Sequence, residues 1–137
     1  MSLNANEINQ LLARKDVMFL ATVKPSNNAH LVPMWYVHKD GDTYFQTSNK
    51  SQKFKNITYN NTVSLCFGGR RTYIVEGEVE QFTTGDAPID IRKELQEKYG
   101  KEMKDSYINQ DTVVFKVTPH KTISWHCLLY TSDAADD

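Results

Sequence analysis

Cysteine is nearly absent from the chain: only Cys66 and Cys127 occur among 137 residues. The second falls in a C-terminal stretch that reads as foreign, so neither a disulfide framework nor a cysteine metal site remains. Cys66, inside the apolar run "VSLCF", reads as a small buried hydrophobe rather than a nucleophile. Long apolar runs are missing too. No stretch approaches the roughly 18 residues a membrane-spanning helix requires. The opening "MSLNANEINQ" has neither an apolar export core nor an Arg-rich amphipathic pattern. A cytoplasmic protein without membrane contact is therefore expected. Phosphate loops (GxxxxGK), dinucleotide turns (GxGxxG), nucleophile elbows (GxSxG) and zinc helices (HExxH) are all lacking. His30, His38, His120 and His126 stand at no metal-ligand spacing, so no metal site is expected. Charge of one sign is also absent, with 16 basic residues against 17 acidic. That balance argues against a nucleic-acid module.

Residues 127–137, "CLLYTSDAADD", back-translate in one frame to the end of a transposase adaptor used in sequencing libraries. The adaptor's first base would complete the codon of His126. The expectation is one domain over residues 1–126 and a non-native tail over 127–137. Three of the 17 acidic residues lie in that tail, so the domain itself carries 14 against 16 basic, a net charge of +2.

What is present is mostly strand. Residues 5–14 carry Ile8, Leu11 and Leu12 at helical spacing. "VMFLATV" (17–23) is β-rich, and "KPSNN" breaks it with turn residues. "AHLVPMWYVH" (29–38) reads as one strand in which Pro33 marks an edge, a bulge or an interruption. Asp40-Gly41 then signals a hairpin into "DTYFQT". A short helix follows over 51–58 with Ser51 as N-cap. "TVSLCF" and "TYIVEGEVEQF" pair across the tight "GGRR". In the second, Tyr73, Val75, Gly77 and Val79 face the core, while Glu76, Glu78 and Glu80 form a solvated face. Asp86 and Pro88 open a helix through Ile91, Leu95 and Tyr99 that ends at Gly100. "TVVFKVTP" and "KTISW" close the chain as two further strands. About seven short strands and three helices describe a small antiparallel barrel with helical plugs. "VMFLA" and "VPMWYV" are apolar on both faces, so the outer face needs a cover, and a second copy of the chain is expected to supply it.

One constellation carries chemistry. In "TSNKSQKFKN" (47–56), a strand hands over to a helix whose first N–H groups favour an anion. Thr47, Ser48 and Ser51 offer hydroxyls, and Lys50 and Lys53 offer cationic donors. Read alone, the stretch suits an ordinary solvated turn, a nucleic-acid patch or a clamp for one small phosphate. Its neighbours favour the clamp, because "HLVPMWYV" and the later "ISW" add the apolar, aromatic wall of a cofactor pocket. Trp35 and Trp125 are otherwise core aromatics. RNA binding would use exposed aromatics on a basic sheet, and here the aromatics sit inside apolar runs. Hydrolytic chemistry has no support, so an enzyme of this sequence borrows a cofactor.

In their order and spacing, "FLATV", "HLVPMWYV", "DGDTYFQTSNKSQKFKNI", "NNTVSLCF", "YIVEGEVE", "VVFKVTP" and "ISW" resemble the pyridoxamine 5′-phosphate oxidase-like family of flavin-binding split β-barrels. The resemblance implies a mainly-β, six- to seven-stranded antiparallel split barrel with short peripheral helices. It implies FMN held between two subunits of a homodimer and turned against a small-molecule substrate. Thr47, Ser48, Ser51 and Lys53 match the phosphate turn, with Lys50 as a compensating cation. Val32, Pro33, Met34 and Trp35 match the strand along the ring and ribityl chain. Thr72 falls near another contact strand, and Trp125 matches a tryptophan contributed across the interface. The resemblance implies no catalytic acid or base. Two departures matter. Gln52 stands where the family often has arginine, and the chain stops resembling the family at Trp125, before the basic residues that hold a substrate phosphate. The expected activity is an FMN-dependent oxidoreductase of unassigned substrate. A deazaflavin-dependent reductase and a non-catalytic flavin- or haem-binding protein are the other readings.

Overall fold

The computed structural model describes residues 2–100 and 111–126, so the foreign-tail expectation lies outside the described residues. Helix α1 (Ala5–Leu12) begins with a reciprocal cap. Asn4 Oδ1 accepts from the Glu7 N–H at 2.8 Å, and the Glu7 carboxylate accepts from the Asn4 N–H at 3.0 Å. Strands β1 (Met18–Val23), β2 (Ala29–Met34), β3 (Val37–Lys39) and β4 (Asp42–Ser48) follow, then α2 (Gln52–Tyr59). Next come β5 (Thr62–Gly68), β6 (Arg71–Thr83), α3 (Ile91–Tyr99) and β7 (Thr112–His126). The seven strands of the described residues join one antiparallel sheet in the order β2-β1-β5-β6-β7-β4-β3. The sheet does not close on itself, and the expected split-barrel class is what is observed.

Two strand assignments differ from the sequence reading. The run at 29–38 is two strands at opposite ends of the sheet, because the chain leaves the ladder at Trp35 and Tyr36. Pro33 sits in the edge strand β2, where its missing N–H costs no ladder bond on the open side. Conversely, "TVVFKVTP" and "KTISW" are one 15-residue strand, β7. Proline does not end it because the ladder shifts register between Glu76 and Gly77, placing Pro119 at a bulge. Helix α3 also starts later than expected. Asp90, not Asp86, caps it, accepting from the Lys93 N–H at 3.2 Å, whereas Asp86 is held in a turn by Thr83.

Two cores share the central strands. On one face Phe45 of β4 and Phe115 of β7 stack at 5.1 Å inside the barrel, packed with Leu20, Leu65 and Val75. Leu11 and Leu12 of α1 and Ile57 of α2 plug this core. On the other face Tyr44 and Val114 pack under α3 through Ile91, Leu95 and Tyr99. One row on the outer surface of the β2-β1-β5-β6-β7 region is apolar. Pro33, Phe19, Cys66, Ile74 and Ile123 stand opposite one another in register, a row crossing five strands. Phe19 is 41% exposed, Ile123 40%, and Leu31, nearby on β2, 65%. Cys66 lies half-buried in this row, and burial pushes its thiol pKa up, which keeps it protonated. No described helix is long and apolar enough to cross a membrane.

Candidate cofactor site

The turn from β4 into α2 assembles most of the predicted phosphate residues. Thr47 Oγ1 donates to Ser51 Oγ at 3.1 Å, and Ser51 Oγ in turn accepts from the Phe54 N–H at 3.1 Å. Ser51 thereby caps α2 while keeping its own hydroxyl hydrogen. Ser48 Oγ accepts from the Lys50 N–H at 3.1 Å, which fixes the intervening turn. The two lysines differ. Lys50 is exposed and its ammonium lies 3.5 Å from Asp111. Lys53 is half-buried and has no carboxylate partner among the described residues. Gln52 contributes no cation, and its side-chain amide donates to Asn56 Oδ1 at 2.7 Å.

Asn56 is the residue that sequence reasoning missed. It is fully buried, and its Nδ2 donates to Thr22 Oγ1 of β1 at 2.9 Å. That bond ties α2 across the opening of the split sheet and sets where its first turn points. A buried Asn inside "KFKNI" has no distinguishing sequence signal, because polar residues on short helices normally face water. His30 stands opposite Thr22 in register, and its buried Nδ1 has no hydrogen-bond partner among the described residues.

The remaining predicted residues divide. Val32 and Met34 point inward and pack against the barrel core, while Pro33 points outward and is exposed. Trp35 turns away from the sheet and stacks on Tyr99 of α3, centroids 4.5 Å apart and planes 4° apart. Thr72 and Trp125 are register partners on β6 and β7. Thr72 is buried and donates to the Gly69 carbonyl at 2.6 Å, and Trp125 is half-buried. Thr47 pairs with Val113 at the other end of the 15-residue β7. At about 3.3 Å per residue such a strand measures about 50 Å along its contour. By register, the hydroxyl–lysine turn and the Thr72–Trp125 pair thus lie toward opposite ends of β7.

The donor set at the turn fits a phosphate monoester. The hydroxyls of Ser48 and Ser51, the Lys53 ammonium and the N–H groups of Gln52 and Lys53 can surround a dianion, with Thr47 orienting Ser51. No described cluster of His, Cys, Asp or Glu is placed to hold a metal ion.

The sequence profile described as Pyridoxamine 5′-phosphate oxidase matches residues 5–126. The chain belongs to this family. Among curated proteins no sequence matches it significantly. Solved structures agree on the fold. A conserved hypothetical protein from Mycobacterium tuberculosis is 25% identical, with TM-score 0.77 over 96% of this chain and 94% of its own. A protein named F420 reductase is 24% identical, with TM-score 0.72 over 84% and 94%. The haem-storage protein of Vibrio cholerae is 15% identical, with TM-score 0.74 over 90% and 94%. As a pyridoxamine 5′-phosphate oxidase family member, the chain carries the family barrel through Trp125, and its turn at 47–53 falls within the matched span.

Proposed function

We propose that the chain is an FMN-dependent oxidoreductase that works in the cytoplasm as a homodimer, on a small-molecule substrate not yet assigned. The observation that carries the reading is Lys53, a half-buried lysine with no carboxylate partner among the described residues, beside the Thr47–Ser51 hydroxyl pair at the start of α2. FMN, when bound, supplies the hydride or electron chemistry, and the chain supplies placement. Lys53, Ser51 and Thr47 would hold the phosphate, with Ser48 and the turn lysine Lys50 at its rim. Pro33 offers an outward face for the ring. Thr72 on β6 and Trp125 on β7 would come from the second protomer, their register positions lying toward the other end of β7 from the turn of their own chain. The apolar row from Pro33 to Ile123 favours such a partner, because burying it removes exposed Phe19 and Leu31 from water. Covered, the row also keeps water from the ring side of the site.

The test is a paired titration with absorbance and flavin fluorescence. Ser51→Ala with Lys53→Ala removes two phosphate contacts, each worth about 1.5–3 kcal/mol, so FMN binding should weaken about 100-fold or more. Riboflavin binding should barely change, since it has no phosphate. Equal losses for both ligands would sink the phosphate assignment. The same titration with a deazaflavin coenzyme and with haemin ranks the other two readings, and size-exclusion chromatography with light scattering reports the dimer.

A further inference from the structure

A second basic feature lies at the opposite end of the sheet from the lysine turn. The turn between β5 and β6, with the segment leaving α1, encloses a surface cavity of about 560 Å³. Its lining includes Arg14, Arg70 and Arg71 against a single carboxylate, Asp16. Asp16 reaches Arg14 only at 3.8 Å, with both side chains more than half exposed. Arg71 meets Glu7 at 3.5 Å and Gln10 at 3.5 Å, both on α1. Arg70 has no partner among the described residues. Even with Glu7 counted, positive charge is in excess.

Arg70 and Arg71 sit on a turn whose backbone has little freedom to move. Gly68 has φ +88°, and a Cβ there would run into the Arg71 carbonyl oxygen and approach Leu11 Cδ1 at 2.9 Å. The Gly69 N–H donates to the Arg71 carbonyl at 3.0 Å, and Thr72 Oγ1 donates to the Gly69 carbonyl at 2.6 Å. A fixed turn presenting guanidinium forks is preorganised for planar, bidentate recognition of phosphate or carboxylate oxygens. The volume exceeds what a bare inorganic ion fills and falls in the range of sites for small organic ligands.

We propose that this cavity binds the anionic head of a small organic molecule, a phosphate ester or a polycarboxylate. The cavity also has a direct neighbour in the candidate site. Arg71 immediately precedes Thr72, whose register partner is Trp125. On the flavin reading proposed above, on which only this clause rests, the anionic group is the handle by which the reactant is held beside Trp125.

The experiment is calorimetric titration of the full chain with inorganic pyrophosphate and with citrate at fixed ionic strength. It is run in the Ser51→Ala, Lys53→Ala background, so that the lysine turn does not contribute. Saturable binding of at least one probe is expected, weakened about tenfold by Arg70→Ala and, from a different element, by Arg14→Ala. Preference for pyrophosphate assigns a phosphate ester, and preference for citrate a polycarboxylate. Absence of saturable binding, or binding that survives both arginine substitutions in variants with unchanged melting curves, overturns the proposal. FMN titration of Arg70→Ala in the otherwise native chain separates the two claims. Lost anion binding with retained FMN affinity supports this site, whereas a chain that binds the anion but no flavin keeps this site and removes the flavin reading.

Discussion

Helices α2 and α3 both cover an end of the sheet, yet they treat their polar groups in opposite ways. At the C-terminus of α3, Tyr99 Oη donates to the Asp16 carbonyl at 2.7 Å and accepts from the Tyr36 N–H at 3.2 Å. Lys98 Nζ donates to the Leu12 carbonyl at 3.0 Å and lies 3.5 Å from the centre of the Tyr36 ring. Tyr36 Oη donates to the same Leu12 carbonyl at 3.1 Å. The Trp35 ring closes one side by stacking on Tyr99. At the N-terminus of α2, by contrast, Lys53 has no counter-charge among the described residues, and Ser51 caps the Phe54 N–H but not those of Gln52 and Lys53. Both regions hold aromatics and lysines, but the first is saturated from within while the second has donors in surplus. A saturated cluster holds the fold together, and a surplus of donors suits a ligand. The contrast yields three expectations, taken from the largest effect downward.

Tyr99→Ala should be severe, because it removes a buried ring from against Trp35 and leaves the Tyr36 N–H without an acceptor. Aromatic-to-alanine changes of this type cost about 3–5 kcal/mol. Urea unfolding measures it, and a loss below about 1 kcal/mol would mean that the α3 cluster does not hold the second core.

Lys98→Met should show itself through pH. Burial pulls the Lys98 pKa from 10.5 down to about 8, with the charge of Asp16 pulling it back up. Between those values the unfolded chain binds the proton more tightly than the folded one, so stability rises as pH climbs through the window. Tyr99 acts in the other direction. Burial raises its pKa from 10.0 to about 12, and Tyr36 is raised as well, so stability falls once pH passes 10.0. Melting temperatures from pH 8 to 10 should therefore climb more in the native chain than in Lys98→Met, where the raised Cys66 thiol leaves only a shallow fall. A slope of equal size in both would remove Lys98 from the account.

Lys53→Ala should change ligand-free stability least, within about 0.5 kcal/mol, as expected for a side chain with no carboxylate partner among the described residues. If it destabilised the chain as much as a core substitution does, Lys53 would have an undetected structural partner and the contrast between the helices would collapse.

The same contrast marks how far the sequence could be read. Alternation in "TYIVEGEVEQF", the Asp40-Gly41 hairpin and the Ser51 cap all translate directly into structure, since each depends on local geometry. Asp40 and Gly41 have φ of 52° and 87°, the backbone that this pair favours. Strand continuity was less legible. Nothing local reports that the chain leaves the ladder at Trp35, and Pro119 reads as a terminator unless the bulge beside it is known. Site residues were legible in proportion to their independence from tertiary packing. Thr47, Ser51 and Lys53 are neighbours in sequence and remain so in space. Trp35 looks like a ligand-facing aromatic until α3, more than fifty residues later, supplies Tyr99 as its stacking partner. Asn56 acquires its role only from Thr22.

Strand β7 also sets the order in which the molecule can be made. It is the last of the seven strands to leave the ribosome, yet it lies inside the sheet, between β6 and β4. Until it arrives, the β3–β4 hairpin has no sheet to join, and the Phe45–Phe115 stack lacks one of its rings. The nascent chain must carry β4 with an unpaired edge and apolar residues uncovered while β5, β6 and α3 are being synthesised. Long-range pairing of this type folds slowly and exposes sticky edges in the meantime. Emergence of β7 is thus the event that commits this barrel to fold.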